Sequence, residues 1–259
     1  MHGSNATVGP AKPLRTRFIR GVNSIQRQLR SSNLNKFVVK FALRKRHTPH
    51  IDRWISFCTA SRAKRVVLDL SPGTKGSTDT DDMYSFPLHL LSASDGSCVK
   101  SLSLGFVYLT LPPVYRGFAN LKKLSLQMVH VTGDLRCLLP KYAVLEWLSL
   151  FRCRMDELSI GQGLRRLHYL QVKLCTLKKL DVQAPNLTTF VFAGHMIPIL
   201  LGEPVKISEA TVDLVASSDN FGYVFTDLVD ALSHVRSLSI GFRIETKVCS
   251  LKTGRCLPS

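Results

Sequence analysis

The 259-residue sequence lacks the features of a membrane-spanning or secreted protein. Its longest apolar runs, such as LGFVYLTLPP and MIPILL, fall well short of the about 20 residues that a membrane-spanning helix needs. The N-terminal stretch MHGSNATVGPAKPLRTR is polar and basic, without the apolar segment of a signal peptide. We therefore expect a soluble chain in the cytoplasm, the nucleus or both, with no membrane partner.

Acidic residues are absent from the first fifty positions, which hold 11 Lys and Arg. The rest of the chain holds 24 Lys and Arg against 18 Asp and Glu, so the formal charge of +17 is concentrated at the N-terminus. Such a basic arm could bind nucleic acid or an acidic partner, or it could be a solvated leader. No nucleic-acid-recognition motif accompanies it, and this favours the solvated leader.

Motifs of catalysis and metal binding are also missing. The sequence has no G-x-S-x-G, H-E-x-x-H or G-x-x-x-x-G-K-[ST] motif. Its seven cysteines form no C-x-x-C pair, and without secretion a disulfide framework is not expected. His47 and His50 lie in a basic turn without a ligand-type partner at metal-binding spacing, so we interpret them as solvated. We predict a non-catalytic protein, without cofactor or metal, that binds a partner.

What the sequence does contain is a repeat of the form apolar-x-x-apolar-x-apolar. It recurs in the stretches CVKSLSL, NLKKLSL, VLEWLSL, RLHYLQV, NLTTFVF and HVRSLSI. The first five copies are separated by 22, 24, 22 and 20 residues, counted from Val99 to Leu187. This period and pattern are typical of leucine-rich repeats. RVVLDL (65–70) and ATVDLV (210–215) fit the pattern as degenerate copies.

One repeat of this length cannot bury its own apolar side, so stacked repeats are expected to build the core. The sequence predicts an α/β leucine-rich-repeat solenoid with a parallel concave sheet, a mostly short, irregular or strand-like convex side, and N-terminal helices. The expected regions are a disordered basic leader (1–17), a helix–strand–helix cap region (18–64), the solenoid (65–245, with an inserted loop at 71–85) and a disordered tail (246–259).

Two cysteines recur at the same position of neighbouring repeats. Cys153 and Cys175 each follow the last apolar residue of their repeat by three positions. In leucine-rich repeats this position lies where the chain leaves the strand and turns, and it holds Asn or Cys. A small, weakly hydrogen-bonding side chain suits that turn. We therefore interpret both cysteines as structural rather than as reactive or metal-binding residues.

The outward positions of three neighbouring strands suggest a binding surface. The predicted binding residues are Lys123, Gln127, Trp147, Phe151, Tyr169 and Lys173. Because side chains alternate along a strand, lateral pairing would put Trp147 between Lys123 and Tyr169, and Phe151 between Gln127 and Lys173. Exposed aromatic rings rimmed by lysines are typical of an interface hot spot, so we predict a protein target on this concave face. Alternatively, an N-terminal segment or packing between repeats covers the rings.

Four stretches carry a resemblance to a known family. They are FIRGVNSIQRQLRSSNLNKFVVKF (18–41), HIDRWISFCTASRAKRVVLDLSP (50–72), LEWLSLFRCRMDELSI (145–160) and APNLTTFVFAG (184–194). In these stretches the chain resembles plant F-box/leucine-rich-repeat proteins of the type that ends in an FBD domain. The HIDRW motif followed by a strand ending in LDLSP is the most specific part of the resemblance.

The resemblance implies a substrate-receptor subunit of an SCF-type ubiquitin ligase, in which an F-box binds the Skp adaptor and the repeats hold the target. No F-box is visible ahead of the FIRGVNS stretch, and the tail ends where such relatives continue into the FBD region. We therefore expect this chain to hold a target without binding the adaptor. The alternative hypothesis is a basic nucleic-acid-associated protein that uses its N-terminal arm and whose binding weakens steeply with salt.

Overall fold

The computed structural model describes residues 12–29, 34–73, 80–91, 98–112, 118–138, 144–202, 206–216, 232 and 234–244. In these ranges the helices are α1 (Lys12–Gln28), α2 (Thr48–Ala60), the one-turn α3 (Leu88–Leu91) and 3-10 helices at Lys45–His47 and Leu135–Leu138. The strands are β1 (Lys36–Lys40), β2 (Arg65–Asp69), β3 (Tyr84–Ser85), β4 (Ser101–Gly105), β5 (Val107–Thr110), β6 (Lys123–Gln127), β7 (His130–Thr132), β8 (Trp147–Phe151), β9 (Glu157–Ile160), β10 (Tyr169–Lys173), β11 (Lys179–Val182), β12 (Thr189–His195), β13 (Ile199–Leu201), β14 (Glu209–Ala216) and β15 (Ser237–Ile244).

The largest sheet contains nine strands in chain order, β1-β2-β4-β6-β8-β10-β12-β14-β15, and every neighbouring pair is parallel. The apolar positions of the repeat fall in register, as in Leu124, Leu148 and Leu170 of β6, β8 and β10. These three leucines are fully buried. The predicted α/β solenoid with a parallel sheet is therefore confirmed, and the two degenerate copies form β2 and β14.

The opposite wall is built from short strands, as predicted. It consists of two parallel three-stranded sheets, β3-β5-β7 and β9-β11-β13, among the described residues. Leu158 and Ile160 of β9 and Leu180 and Val182 of β11 are at most 2% exposed and face the shared core. Because the repeats of β8–β9 and β10–β11 each bury two apolar residues on each wall, neighbouring repeats supply the partners that one repeat lacks.

The chain leaves the main sheet by the same turn in four repeats. Phe106, Met128, Arg152 and Leu174 directly follow β4, β6, β8 and β10, and all four have φ between 51° and 55°. This left-handed conformation costs roughly 1–2 kcal/mol for a residue with a side chain. The backbone N–H of each donates to a carbonyl of the next strand at 2.5–2.9 Å, which holds the turn in place.

Two expected boundaries in the N-terminal half need correction. Helix α1 begins at Lys12, so residues 12–17 are helical rather than part of a disordered leader. The helix is ordered because its apolar face docks on the core: Phe18 stacks on Phe41 with ring centroids 4.2 Å apart, and Ile19 is buried. Strand β1 pairs with β2, so the main sheet begins inside the expected cap region and before residue 65. Residues 1–11 and the expected tail (246–259) lie outside the described residues.

The expected inserted loop at 71–85 does not lie wholly outside the core. Its last residues form β3, which pairs with β5, and Met83 and Tyr84 are 3% and 0% exposed. The phenol of Tyr84 donates a hydrogen bond to Asp52 Oδ1 of α2 at 2.5 Å, which holds this end of the segment against the cap. Residues 74–79 lie outside the described residues. No described helix is long and apolar enough to cross a membrane.

Candidate functional site

The outer face of the nine-stranded sheet, here called the open face, carries all six predicted binding residues. The strand register aligns Lys123, Trp147 and Tyr169 in one row across β6, β8 and β10. The same register aligns Gln127, Phe151 and Lys173 in a second row at the other end of these strands. The structure therefore brings the six residues together in the two rows expected from the sequence, while their role in binding stays a prediction.

The first row is a stack of side chains. The rings of Trp147 and Tyr169 are parallel within 10°, with centroids 3.5 Å apart. The Nζ atom of Lys123 lies 5.3 Å from the Trp147 centroid, within the range of a cation–π contact. Because Lys123 and Tyr169 stand on opposite sides of β8, both faces of the indole are covered by neighbouring repeats. Trp147 is still 36% exposed, so a partner would meet the edge of the ring.

The phenol of Tyr169 is held by a side chain in the middle of its own strand. Its hydroxyl donates a hydrogen bond to Oε1 of Gln171 at 2.7 Å. Burial raises the pKa of Tyr169 above its usual value of 10. The phenol therefore stays neutral at physiological pH, and the aromatic pair has a fixed orientation before any partner arrives. Such preorganisation reduces the entropy that binding would otherwise cost.

Three serines form a floor of small side chains between the two rows. Ser103, Ser125 and Ser149 stand in register on β4, β6 and β8, and each is half-buried. They come from the recurring L-S-L stretch, in which the leucines point into the core and the serine points outward. Because these side chains are short, an extended segment has room to lie close to the sheet between the first row and the second row.

The second row borders a shallow cavity that was not predicted from the sequence. This cavity of about 280 Å³ is lined by residues of five neighbouring repeats, among them Phe151, Lys173, Gly194, Asp213 and Phe242. The sequence does carry a signal for it, because Gly194 and Gly241 interrupt strands that are otherwise filled with larger side chains. At Gly241 the place of the missing side chain is taken by the carboxylate of Asp213, which also lines the cavity.

Charge is unevenly distributed over the open face. The first strands contribute Lys36, Lys40 and Arg65 at outward register positions, opposed by Asp69. Toward the other end, Glu209 and Asp213 of β14 occupy the equivalent positions. The basic strands therefore lie beside the helices, and the two carboxylates of β14 lie next to β15, which adds Arg243, with the aromatic pair between the two ends.

Cys153 and Cys175 sit in the turn that follows each strand, as the repeat pattern predicts. Cys153 is fully buried, and its thiol donates a hydrogen bond to the carbonyl of Leu126 in the preceding repeat at 3.3 Å. A hydrogen bond with Cys175 and burial both raise the pKa of Cys153 well above its usual range, while the same hydrogen bond lowers the pKa of Cys175. The buried thiol is therefore protonated, which fits the structural interpretation. Among the described residues, no group of three or more His, Cys, Asp or Glu is placed to hold a metal ion.

Comparison with known proteins identifies the repeats. The family model described as At1g61320/AtMIF1, LRR domain, matches residues 27–255. The match begins within α1 and includes β1, in agreement with the observation that the main sheet starts before residue 65. No curated protein and no solved structure matches the chain.

Proposed function

The chain belongs to the family of the plant At1g61320/AtMIF1 leucine-rich-repeat domain, and we propose that it is a non-catalytic module that holds a partner protein on the open face. Leucine-rich repeats are protein-interaction modules, and their stacked repeats create extended binding surfaces. The observation that carries the proposal is the row formed by Lys123, Trp147 and Tyr169. Tryptophan and tyrosine are enriched among the residues that dominate interface energies.

The geometry supports contact with an extended segment or a narrow edge of the partner. The stacked rings present their edges on one side of the serine floor, and Phe151 lies on the other. The guanidinium of Arg152 lies 5.4 Å from the Phe151 centroid, so this second ring is also braced by a cation. The Trp147–Tyr169 stack and Phe151 are both restrained by neighbouring side chains. They would therefore lose little side-chain entropy when a partner binds.

Site-specific photocrosslinking tests which wall of the solenoid meets the partner. A photoreactive residue at Ser125 on the open face should crosslink to a protein from plant cell extract. The same residue at Ser159 in β9 of the opposite wall should not give this product. Equal crosslinking from both walls, or crosslinking from Ser159 alone, would refute the open face as the binding surface.

The double substitution Trp147→Ala and Tyr169→Ala tests the aromatic pair once the partner is in hand. We expect at least tenfold weaker binding, equivalent to about 1.4 kcal/mol, with an unchanged far-ultraviolet circular dichroism spectrum. Tyr108→Ala is the matched control, because Tyr108 packs against His130 on the opposite wall with ring centroids 4.9 Å apart. Undiminished binding by the double variant would show that the stack serves only to join repeats.

The finer part of the proposal is that the module acts as the target-binding part of an SCF-type ubiquitin-ligase receptor in the cytoplasm or nucleus. It rests on the resemblance of the HIDRW and LDLSP stretches to F-box/leucine-rich-repeat proteins. Since no F-box motif is visible in the sequence, we expect the purified chain to capture its target without a Skp-type adaptor. Coprecipitation of both proteins decides this, because stable adaptor binding would reveal an unrecognised F-box.

The second candidate function is nucleic-acid association through the basic N-terminal residues. It is favoured by the 11 Lys and Arg and the absence of acidic residues in positions 1–50. Binding of this kind would lose affinity steeply between low and physiological salt and would show little sequence preference. Fluorescence anisotropy with a labelled oligonucleotide at two salt concentrations separates it from capture on the open face, which depends on Trp147.

A further inference from the structure

A second candidate site lies away from the open face, between α1 and the start of α2. The structure contains a cavity there of about 450 Å³, a size typical of small-molecule sites. Its lining includes Arg15, Arg20, Asn23, Arg46, His47 and His50. Three arginines and two histidines thus converge on one space, and none of the lining residues is acidic.

The positive charge of this cavity is not neutralised by ion pairs. Within the described residues, Arg15, Arg20 and Arg46 form no salt bridge. The Nε atom of Arg15 is buried and has no hydrogen-bond partner there. A buried donor without a partner costs free energy. The unpaired Nε atom therefore indicates that an acceptor binds here.

The arginines also repel one another. Burial, followed by the nearby charge of Arg46, lowers the pKa of Arg15, and the carboxylate of Asp82 only partly opposes this. Burial, and then the charges of Arg46 and Arg15, lower the pKa of His47 as well, and a hydrogen bond with the backbone of Arg44 partly opposes this. An anion in the cavity would relieve this repulsion and would supply the acceptor that Arg15 Nε lacks.

The imidazole of His47 is held in place at the pocket by the backbone of Arg44. The backbone N–H of Arg44 donates to His47 Nδ1 at 3.0 Å. The same Nδ1 atom lies 3.2 Å from the carbonyl oxygen of Arg44, so the two backbone groups of Arg44 together fix the orientation of the ring. The site therefore offers guanidinium groups, which match phosphate oxygens in planar pairs, together with imidazole groups.

We propose that this cavity, here called the α1–α2 pocket, binds a small phosphate-bearing molecule whose phosphate is held by Arg15 and Arg46. The volume exceeds what the phosphate alone requires, which leaves room for the group attached to it. The pocket joins α1 to α2, which also share apolar contacts and several polar contacts. These are the hydrogen bond from Trp54 Nε1 to Asn23 Oδ1 at 2.8 Å, that from Gln26 Nε2 to the Arg53 carbonyl at 3.4 Å, and a contact of 3.5 Å between Asn23 Nδ2 and His50 Nδ1. A bound phosphate would thus fasten the two helices of the cap.

Isothermal titration calorimetry on the full chain tests the proposal with three probes. Inorganic phosphate, glycerol 3-phosphate and vesicles containing phosphatidic acid distinguish free phosphate, a soluble phosphomonoester and a lipid headgroup as the source. We expect saturable binding of at least one of them, with a higher melting temperature when it is bound. The absence of saturable binding with all three would overturn the proposal.

Charge-matched variants separate a built site from general attraction to a basic protein. Arg46→Gln should weaken binding at least tenfold, whereas Arg17→Gln, which removes an exposed charge from α1 outside the pocket, should change it less than twofold. Equal weakening by both variants would refute the pocket. Should Arg46→Gln fail to fold, Arg15→Lys provides a second test, because it retains the charge and removes Nε; unchanged affinity in that variant would also refute the assignment.

The outcome is independent of the function proposed for the open face. The double variant at Trp147 and Tyr169 should bind the phosphate probe as the native chain does. Conversely, Arg46→Gln should leave partner capture on the open face intact. Loss of only one of the two activities therefore identifies which proposal has failed.

Discussion

The inward-facing side chains at the two ends of the nine-stranded sheet differ in how far they are buried. At the N-terminal end, Val39 of the edge strand β1 is 3% exposed and belongs to one buried cluster with Ile19 of α1 and Trp54 of α2. At the other end, Leu238 and Ile240 of β15 are 48% and 45% exposed. Within the described part of the chain, no element packs beyond β15.

This difference shows that burial in a solenoid depends on the neighbours and not on the repeat itself. The stretches CVKSLSL and HVRSLSI carry nearly the same letters, and both form strands of the main sheet. Leu102 and Leu238 occupy the same inward register position, yet their exposed fractions are 1% and 48%. A terminal repeat needs a polar or covered outer side, and among the described residues the helices provide one at the N-terminal end.

The largest expected effect comes from removing the centre of the helical cap. Trp54 is fully buried, donates a hydrogen bond to Asn23 and packs edge-on against Phe18 with centroids 6.4 Å apart. Trp54→Ala should lower the free energy of unfolding by about 3–5 kcal/mol, measured by chemical denaturation. Trp54→Phe is the control, since it retains most of the apolar volume and loses mainly the hydrogen bond. A small loss in Trp54→Ala would mean that the cap does not seal the sheet.

The comparison between the two ends is tested directly by the same substitution at both. Leu102→Ala should cost about 2–5 kcal/mol because it leaves a cavity in a packed core. Leu238→Ala should cost less than about 1 kcal/mol, since water already reaches that side chain. Denaturation of the two variants under identical conditions provides the measurement. Equal losses would show that Leu238 is covered in solution and that the comparison of the two ends is wrong.

A smaller difference is expected at two glycines that face aspartates across the sheet. A Cβ atom at Gly105 would lie 2.5 Å from Asp69 Oδ1 and 3.2 Å from Asp69 Cα, so the backbone itself would have to move. A Cβ atom at Gly241 would crowd the carboxylate of Asp213 but would lie 3.9 Å from its Cα, so rotation of the side chain suffices. We expect Gly105→Ala to cost about 1–3 kcal/mol and Gly241→Ala clearly less, as shown by their melting temperatures. The reverse order would contradict this explanation.

The repeat pattern predicted the fold well because it specifies both which side chains of a strand face inward and which strands pair with one another. The spacing of residues such as Leu148 and Leu150 specifies an inward face, and the period of about 22 residues specifies that each strand pairs with its successor. The rows of the open face follow from the same register, and so Trp147 could be assigned neighbours on both sides. The short strands of the opposite wall were foreseen from the second apolar pair of each repeat.

What the sequence could not provide were contacts between residues distant in the chain and outside the repeat. Tyr84 stands in a polar, turn-rich segment, and its burial depends on its hydrogen bond to Asp52 of α2 and on the pairing of β3 with β5. The α1–α2 pocket likewise combines Arg15 and Arg46 from separate elements, so the spacing of basic residues gave no indication of it. Such contacts depend on how the cap docks, which no periodic pattern encodes.

The smallest expected effect concerns the hydrogen bond between Tyr84 and Asp52, which links the opposite wall to the cap. Burial, and then the hydrogen bond to Asp52, raise the pKa of Tyr84 well above its usual value of 10. A folded-state pKa above the unfolded one gives stability that is fully present below pH 10 and is lost as the pH rises further. Tyr84→Phe should therefore cost about 1–2 kcal/mol near neutral pH, and the deficit should shrink at alkaline pH because only the native chain loses this contribution. The test is the free energy of unfolding of the native protein and of Tyr84→Phe, measured across this pH range. Parallel pH profiles for the two proteins would contradict a raised pKa of Tyr84 in the folded state.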